Sequence, residues 1–291
     1  MTAGPTPLER FDALPRIEVK VDGYRMSAVD VGSGDPPVVF VHGNPTWSFQ
    51  WREIIDRVSP ERRCIAPDLI GFGRSEHPRI AYDWDLHERT LTAFLNTLPR
   101  HTLVAHDWGA ALAARYVIDH PDRVAALVLM EPSILTETWD DYHGPRRERF
   151  LALRDPTRNV DLIEHQNQMV EAIRDGVMRP FSDGEMDGYR APYPTPADRS
   201  PIRRFVEMKP IGSDSETWDV YRSIEEGLRS VRVPVVLLTV DPGALVPPDR
   251  VGHLQALVPH LEVQHLGPGK HHFQEDYAAE IARAILARRD G

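Results

Sequence analysis

A carboxylate stands where a short apolar run meets an alanine-rich stretch, and this junction has the residue types for nucleophilic chemistry. Residues 103–105 predict a buried strand and the residues after Trp108 an amphipathic helix, with Asp107 between them. This layout is typical of a nucleophile elbow, the sharp strand-to-helix turn that raises one side chain above a parallel sheet. Gly109 and Ala110 supply the small neighbours that such a tight turn requires. The sequence therefore predicts an aspartate nucleophile where serine or cysteine is the alternative.

An aspartate at an elbow does different chemistry from a serine. Its reference pKa of about 3.9 makes it an anion at neutral pH, so it needs no base to activate it. It is suited to attack a carbon that bears a leaving group, which forms an ester on the enzyme. A histidine would then deprotonate the water that hydrolyses this ester, and an acid would orient the imidazole and balance its charge.

Three further polar residues follow predicted strands. Asn44 follows the apolar run 37–41, Glu131 follows the run 124–130, and His271 lies in the glycine-containing segment after residues 261–266. Ligands bind at the carboxyl ends of the strands in an open parallel sheet. Each residue alone has an ordinary interpretation as a turn residue, a surface charge or a solvated loop histidine. Together with Asp107, in the order nucleophile, acid, base, they favour a catalytic set.

Asn44 and Trp108 offer hydrogen-bond donors that suit a departing halide. The amide of Asn44 and the indole N–H of Trp108 are neutral donors. The backbone N–H groups of the same two residues are the predicted oxyanion hole for ester hydrolysis. The alternative is that Asn44 is a turn residue and Trp108 an apolar cover over the elbow.

The order of predicted elements favours a parallel α/β sheet with right-handed crossovers. From Pro132 to about Ser213 no strand-like run occurs, which predicts an inserted helical cap. The expected division is a core of residues 1–131 and 214–291 with a cap of residues 132–213. Other predicted strands are 17–21, 25–31, 63–67 and 234–238; predicted helices are 51–58, 85–98, 148–153, 160–174, 249–258 and 278–289; residues 267–272 are predicted to be a loop.

Composition excludes several classes of function. The formal net charge of -10 and the lack of a basic block argue against nucleic-acid binding. Arg146-Arg147 and Arg203-Arg204 have acidic neighbours and are interpreted as solvated surface. The glycine-containing run DLIGFGRS (residues 68–75) lacks the Gly-Lys-Ser/Thr of a phosphate-binding P-loop.

Cysteine content and the lack of targeting segments indicate where in the cell the protein is expected. Cys64 is the single cysteine and lies in an apolar run, so a reduced core thiol is expected and no disulfide framework. The first residues lack the basic and apolar regions of a signal peptide. No apolar stretch approaches the roughly 20 residues of a membrane helix. We expect a soluble, cytoplasmic protein.

Taken together, the motifs resemble those of the haloalkane dehalogenases, an α/β-hydrolase family. The likeness runs from about Phe11 to Leu286. It includes HGNPT (42–46), DLIGFGRS (68–75), HDWG (106–109), ME (130–131), HQNQM (165–169), VMRP (177–180) and GPGKHHFQED (267–276). The resemblance implies an α/β-hydrolase fold, with a mostly parallel eight-stranded sheet flanked by helices and an inserted helical cap.

The resemblance also implies a role for each candidate site residue. Asp107 matches the nucleophile, His271 the base, and Asn44 and Trp108 the two halide-stabilising residues. Glu131 matches the catalytic acid of the subfamily that places it after the strand preceding the cap.

Two assignments leave an alternative open. Another subfamily carries its acid after the strand that follows the cap, where this chain has Gly243, and Asp241 is the second choice as acid. His272 stands beside His271, but counting from Gly267 places the family histidine on His271.

Pocket size and lining are the least specific implications. Phe150, Met169 and Leu245 fall where the family lines its apolar pocket, although ordinary core packing is the alternative. Trp47 stands where many members have a small residue. The cap is one residue shorter around residues 174–176, which leaves pocket size open.

The function implied by the resemblance is hydrolytic dehalogenation of small halogenated hydrocarbons to alcohol and halide. No metal or organic cofactor is expected, because the carboxylate and water supply the chemistry. We expect a monomer or a weak homo-oligomer, with no nucleic-acid or membrane partner.

Three alternatives remain. One is a cofactor-free coelenterazine luciferase, whose likeness extends to an Asp-Pro-Gly step such as residues 241–243. Another is an epoxide hydrolase, which would use cap tyrosines such as Tyr142, Tyr189 or Tyr193. The third is a non-catalytic small-molecule receptor.

Overall fold

The computed structural model describes residues 4–288, and in this part of the chain eight strands form one sheet. They are β1 (Arg16–Val21), β2 (Tyr24–Val31), β3 (Val38–Val41), β4 (Cys64–Pro67), β5 (His101–His106), β6 (Val124–Met130), β7 (Val235–Pro242) and β8 (Leu261–Gly269). Their order across the sheet is β1-β2-β4-β3-β5-β6-β7-β8. β2 is antiparallel to both its neighbours, and the other pairs are parallel. The predicted α/β-hydrolase fold with a mostly parallel eight-stranded sheet is confirmed.

Helices cover the sheet, and this coverage explains why its central strands are apolar. The α-helices are α1 (Pro7–Asp12), α2 (Arg52–Val58), α3 (Trp84–Asn96), α4 (Trp108–Asp119), α5 (Gly144–Arg154), α6 (Gln168–Glu171), α7 (Asp183–Arg190), α8 (Ser200–Met208), α9 (Trp218–Leu228), α10 (Pro248–Leu257) and α11 (Ala278–Leu286). Every residue of β3, β5 and β6 is buried. Such continuous apolar runs belong to strands that are covered on both faces. No helix among residues 4–288 is long and apolar enough to cross a membrane.

The predicted strands and core helices agree with the structure to within a few residues, with two clear errors. Residues 267–269 are not loop, because β8 continues to Gly269 and pairs with the end of β7. β8 is an edge strand, so Pro268 needs no N–H partner on its outer side. The predicted helix 160–174 is broken into a π-helical segment (Val160–His165), α6 and a 3₁₀ segment (Ala172–Gly176). Asn167, in a left-handed conformation with φ 56°, causes one of these breaks.

Helices α1, α7, α8 and α9 were not predicted, and the predicted end of α11 at Arg289 lies outside the described residues. Between Pro132 and Ser213 the regular elements are helical, apart from one isolated β-bridge between Glu137 and Ile211. This bridge joins the two ends of the inserted segment. The division into a core of residues 1–131 and 214–291 and a cap of residues 132–213 stays a prediction.

A buried ion-pair cluster fastens the helical segment to the sheet domain. Arg52 on α2 donates to both carboxylate oxygens of Glu275, each at 2.7 Å, and to Glu185 on α7 at 3.1 Å. Arg179 bridges the same two glutamates. The hydroxyl of Tyr189 donates to Glu275 at 2.5 Å. Because each buried charge has partners here, the cluster avoids the cost of an unpaired buried charge and fixes α7 over the core.

The motif at residues 68–75, which lacks the residues of a P-loop, folds around a buried aspartate. The carboxylate of Asp68 accepts hydrogen bonds from the backbone N–H groups of Ser48 and Arg74 and pairs with Arg16 at 2.5 Å. Gly73, at φ 54°, leaves room for that carboxylate, because a Cβ there would lie 2.2 Å from its Cγ. The motif therefore organises a structural turn.

Trp47 and Cys64 both belong to the packed core. The indole of Trp47 is buried between Phe11 and Phe49 and donates to the carbonyl of Gly188 at 3.0 Å. Cys64 is a free, buried thiol as predicted, and burial raises its pKa to about 12. Trp47 therefore acts through packing between the core and α7.

Candidate active site

Asp107 lies at a strained turn between β5 and α4. Its backbone has φ 52° and ψ -125°, a combination that L-residues rarely adopt. Such strain costs about 1–3 kcal/mol and persists only where surrounding contacts enforce it. The Asp107 carbonyl accepts hydrogen bonds from the N–H groups of Ala110 and Ser133, which hold the turn. The sequence prediction of an elbow at this position therefore matches the observed geometry.

Two glycines allow the elbow to approach the neighbouring strand end. A Cβ on Gly109 would lie 2.4 Å from the His42 carbonyl oxygen. A Cβ on Gly43 would lie 2.6 Å from the Asp107 side chain. This close contact brings the backbone N–H of Asn44 within 2.9 Å of Asp107 Oδ2, to which it donates.

Asn44 and Trp108 flank the carboxylate and line the same cavity. Asn44 uses one amide N–H to donate to the Ile202 carbonyl at 3.2 Å on α8. Trp108 packs edge-on against Phe205 and Tyr221. Its indole N–H donates to no protein acceptor among residues 4–288. Of the two predicted oxyanion donors, the Asn44 backbone N–H contacts Asp107, whereas no hydrogen bond joins the Trp108 N–H to that carboxylate.

Glu131 and His271 are brought together from the ends of β6 and β8. His271 Nδ1 lies 3.1 Å from Glu131 Oε2. Burial alone would raise the pKa of Glu131, but hydrogen bonds from His271 and from the N–H groups of Leu245 and Val246 more than offset it, so the pKa is lowered. The Ala244 N–H also donates to this carboxylate, at 2.9 Å. Glu131 is therefore held as an anion against the imidazole.

The loop after β7 donates hydrogen bonds to Glu131, and neither Gly243 nor Asp241 places a carboxylate beside His271. Gly243, the position of the alternative acid, has φ 63°, and a Cβ there would lie 2.8 Å from Glu131 Oε1. Asp241 is exposed at the end of β7 and makes no hydrogen bond to His271. The space next to the imidazole is thus filled by the carboxylate of Glu131.

Within residues 4–288, three histidines meet beside the elbow and together could offer nitrogen ligands to a metal ion. One ring nitrogen from each of His106, His271 and His272 lies within 4.8 Å of the others. His106 Nε2 is hydrogen-bonded to the His271 carbonyl at 2.9 Å, and His271 Nδ1 is engaged with Glu131. Burial, together with the neighbouring His271, lowers the pKa of His106 to about 4 and that of His272 well below its usual range. These contacts favour neutral packing for His106 and His272.

A cavity of about 580 Å³ opens above Asp107. The predicted lining residues Phe150, Met169 and Leu245 all contribute to its wall, and so do Asn44, Trp108 and His271. Residues 174–176, where the resemblance implies a cap one residue shorter, also reach the cavity, through Asp175 and Gly176.

The cap tyrosines required for epoxide opening do not reach this cavity. The hydroxyl of Tyr142 donates to Glu137 at 2.7 Å, and that of Tyr189 to Glu275 at 2.5 Å. Tyr193 is buried against Phe72. Because none of the three lines the cavity, none can protonate an alkoxide that leaves from a carbon bound there.

Sequence reasoning missed several residues of the site. Phe205 packs on Trp108, and Lys209 lies buried in the cavity wall. The interpretation of Arg146 as solvated surface was wrong, because its side chain lines the cavity and faces Glu137 at 3.6 Å. Arg203 and Arg204 were also misjudged, since they are largely buried in ion pairs. The amphipathic period of α8 could have shown Phe205, but a cap lysine gives no comparable signal.

Comparison with known proteins agrees with this geometry. A family model described as the alpha/beta hydrolase fold matches residues 36–278. A haloalkane dehalogenase of Mesorhizobium japonicum is 42% identical over 94% of this chain and 90% of its own length, and one of Bradyrhizobium diazoefficiens is 38% identical over 90% of each. The crystal structure of haloalkane dehalogenase DbeA from Bradyrhizobium elkani superposes with a TM-score of 0.89 at 34% identity, covering 94% of this chain and 96% of that one. A nucleophile elbow with an aspartate, in a chain this similar to dehalogenases along nearly its whole length, leads to one conclusion: the chain is an enzyme of the haloalkane dehalogenase family.

Proposed function

We propose that this dehalogenase works through a covalent alkyl ester on Asp107, which water activated by His271 then hydrolyses. The observation that carries the proposal is the convergence of Asp107, Glu131 and His271 on one cavity, with the donors Asn44 and Trp108 beside the nucleophile. The substrate class is small halogenated hydrocarbons, and the products are alcohol, halide and a proton. The chain works as a monomer or a weak homo-oligomer.

The first step forms the ester. Asp107 Oδ2 is held by the Asn44 N–H, which leaves Oδ1 to attack the carbon. The new C–O bond takes the electron pair of Oδ1, and the carbon–halogen bond breaks with its pair on the departing halide. The indole N–H of Trp108 and the amide of Asn44 are the donors that stabilise the halide.

The second step hydrolyses the ester. His271 takes a proton from water, and the water oxygen attacks the carboxyl carbon of Asp107. When the tetrahedral intermediate collapses, the former Oδ1 leaves with the alkyl group and takes the proton of the water-derived hydroxyl, which gives the alcohol. Asp107 is again a carboxylate whose second oxygen comes from water, and the imidazolium of His271 releases its proton to solvent. Glu131 holds the imidazole through Nδ1 and balances the positive charge that forms on it. The Asn44 N–H stabilises the tetrahedral oxyanion at Oδ2.

We also propose that Glu131 is the catalytic acid and places the chain in the corresponding subfamily. Glu131→Gln keeps the size of the side chain but removes its charge. We expect kcat with 1-bromohexane to fall about 10²- to 10⁴-fold, because the imidazolium formed in the second step loses its counter-charge. Asp241→Asn is the matched control, and we expect its kcat to stay within about twofold, as for an ordinary surface substitution. A large loss in Asp241→Asn with retained activity in Glu131→Gln would assign the acid to the other loop.

The activity is tested by halide release and acidification on a panel of brominated and chlorinated alkanes. We expect turnover of terminal bromides at least, with one proton released per halide. Diol formation from epoxides, or light from coelenterazine, in the absence of halide release would contradict the proposal and favour the alternative chemistries.

A further inference from the structure

The wall of the cavity carries several positive charges, although the whole chain has a formal net charge of -10. Four cationic side chains line it: Arg146, Arg149, Lys209 and Lys270. Asp175 is the one acid among the lining residues other than Asp107 itself. An excess of cations in a largely apolar cavity favours an anionic ligand group.

Lys209 is the deepest of these cations. Its side chain is only 6% exposed, and its ammonium lies 2.9 Å from Glu137 Oε2 and 3.2 Å from Ser133 Oγ. An ammonium group has three N–H donors. These two contacts use two of the donors, which leaves the third for a ligand in the cavity that Lys209 lines.

The single negative charge of Glu137 does not neutralise the cations around it, because several of them face the same carboxylate. It also accepts from Arg250 at 2.7 Å and from Tyr142 at 2.7 Å, and it faces Arg146 at 3.6 Å. Arg146 Nη2 is buried and has no hydrogen-bond acceptor within residues 4–288. Three cations thus face one buried carboxylate, and the exposed Asp141 supplements it on Arg250 alone.

Arg149 and Lys270 extend the positive wall toward solvent. Arg149 lies on α5, one helical turn from Pro145, and makes no ion pair with any residue between 4 and 288. Lys270 donates to the carbonyl of Asp175 at 2.9 Å, which leaves its charge without a carboxylate partner. Exposed cations at the mouth of a cavity attract anions over about one Debye length, roughly 10 Å at 0.1 M salt.

We propose that this cavity preferentially takes haloalkanes that carry a carboxylate at the end distal to the halogen, with Lys209 and Arg146 binding the carboxylate and Arg149 attracting it. The inference rests on the proposed function, since it names the substrate class of the same site. The reacting carbon must lie against the carboxylate of Asp107, which repels a second anion beside it, so the proposal places the substrate's carboxylate at the opposite end of the alkyl chain and pairs it with the cations of the wall. Omega-bromoalkanoates are the corresponding probes.

The test compares three substrates that share one alkyl chain: 6-bromohexanoate, 1-bromohexane and (6-bromohexyl)trimethylammonium. In the wild-type enzyme we expect kcat/KM for the carboxylate to exceed that for the ammonium by at least about tenfold. Calorimetric binding of hexanoate against hexyltrimethylammonium gives the same comparison without turnover, and we expect the carboxylate to bind more tightly. Equal or tighter binding of the ammonium would overturn the inference.

Two variants test which cations cause the preference for the carboxylate substrate. Lys209→Met removes the charge and keeps an unbranched side chain, and we expect the kcat/KM ratio of 6-bromohexanoate to 1-bromohexane to fall about tenfold. In Arg149→Gln, a surface change that leaves Glu137 paired, we expect a fall of about two- to threefold that disappears in 1 M salt. Arg283→Gln, on the exposed face of α11, is the control and should leave the ratio unchanged.

The outcomes separate the two proposals. If the enzyme does not release bromide from 1-bromohexane, the proposed function fails, and hexanoate binding still decides the inference. If 1-bromohexane is hydrolysed but the carboxylate has no advantage over the ammonium, the inference alone fails. An unchanged ratio in both a folded Lys209→Met and Arg149→Gln would also contradict it.

Discussion

Replacing Asp107 with alanine is expected to abolish halide release from every haloalkane, with kcat lower by at least about 10⁴-fold. In the proposed mechanism Asp107 supplies the oxygen that forms the new bond to carbon. Asp175, the other carboxylate among the lining residues, lies in the 3₁₀ segment Ala172–Gly176 and not at the elbow. The measurement is steady-state bromide release from 1-bromohexane.

The matched control is Asp122→Ala, which removes an exposed carboxylate between α4 and β6. We expect this variant to keep wild-type turnover. Alanine at position 107 keeps the strained backbone, whose φ is 52°, unless the turn relaxes. Circular dichroism therefore checks that both variants are folded, and we expect that they are. Sustained turnover by folded Asp107→Ala would refute an aspartate nucleophile.

Replacing His271 with phenylalanine is expected to separate the two steps. Ester formation needs no base, since Asp107 is already an anion at neutral pH. Ester hydrolysis needs a base. We therefore expect a burst of one bromide per enzyme molecule, followed by steady-state bromide release about 10²- to 10⁴-fold or more slower than in the wild-type enzyme. Rapid-quench measurement of bromide against enzyme concentration detects the burst.

Two other histidines serve as comparisons for this variant. His253→Phe changes an exposed position on α10 and should show normal turnover. His272→Gln changes the neighbouring imidazole, which is buried and held neutral. Continued turnover by His272→Gln would agree with His271 as the base. A burst in His272→Gln with normal turnover in His271→Phe would exchange the two roles.

The residues of the proposed catalytic set could be singled out from the sequence because each lies at, or within a few residues of, the end of an apolar run. Asp107 and Glu131 come immediately after β5 and β6, and His271 comes two residues after β8, even though the end of that strand was placed too early. A strand end is a local signal, and parallel strands bring their ends to one edge of the sheet. Local residue types therefore carried most of the information about this site.

The support for Glu131 could not be predicted in the same way. Its carboxylate accepts hydrogen bonds from three consecutive backbone N–H groups, those of Ala244, Leu245 and Val246. Every residue except proline has a backbone N–H group, whatever its side chain. The sequence of this loop therefore does not indicate that its N–H groups converge on Glu131. In the sequence, Gly243 stands out only because another subfamily has its acid at this position. In the structure, Gly243 leaves space for the side chain of Glu131.

The charged wall of the cavity was missed for a related reason. Lysine and arginine are residue types usually found on a solvated surface. Lys209 is buried and Arg146 half-buried because both face Glu137, which is distant from Lys209 in the chain. Burial raises the pKa of Glu137, but Lys209, Tyr142 and Arg250 more than offset this and lower it to about 2. The ion cluster is therefore a product of tertiary packing between α5, the end of α8 and α10.

Asp107 is expected to become alkylated during turnover, and peptide mass mapping of His271→Phe tests this most directly. The variant is mixed with excess 1-bromohexane, quenched in acid after the burst and digested. We predict one hexyl group per molecule, located on the peptide that contains Asp107 and assigned to that residue by fragmentation. A hexyl group on another residue, or a full bromide burst with no alkylated peptide, would contradict the account.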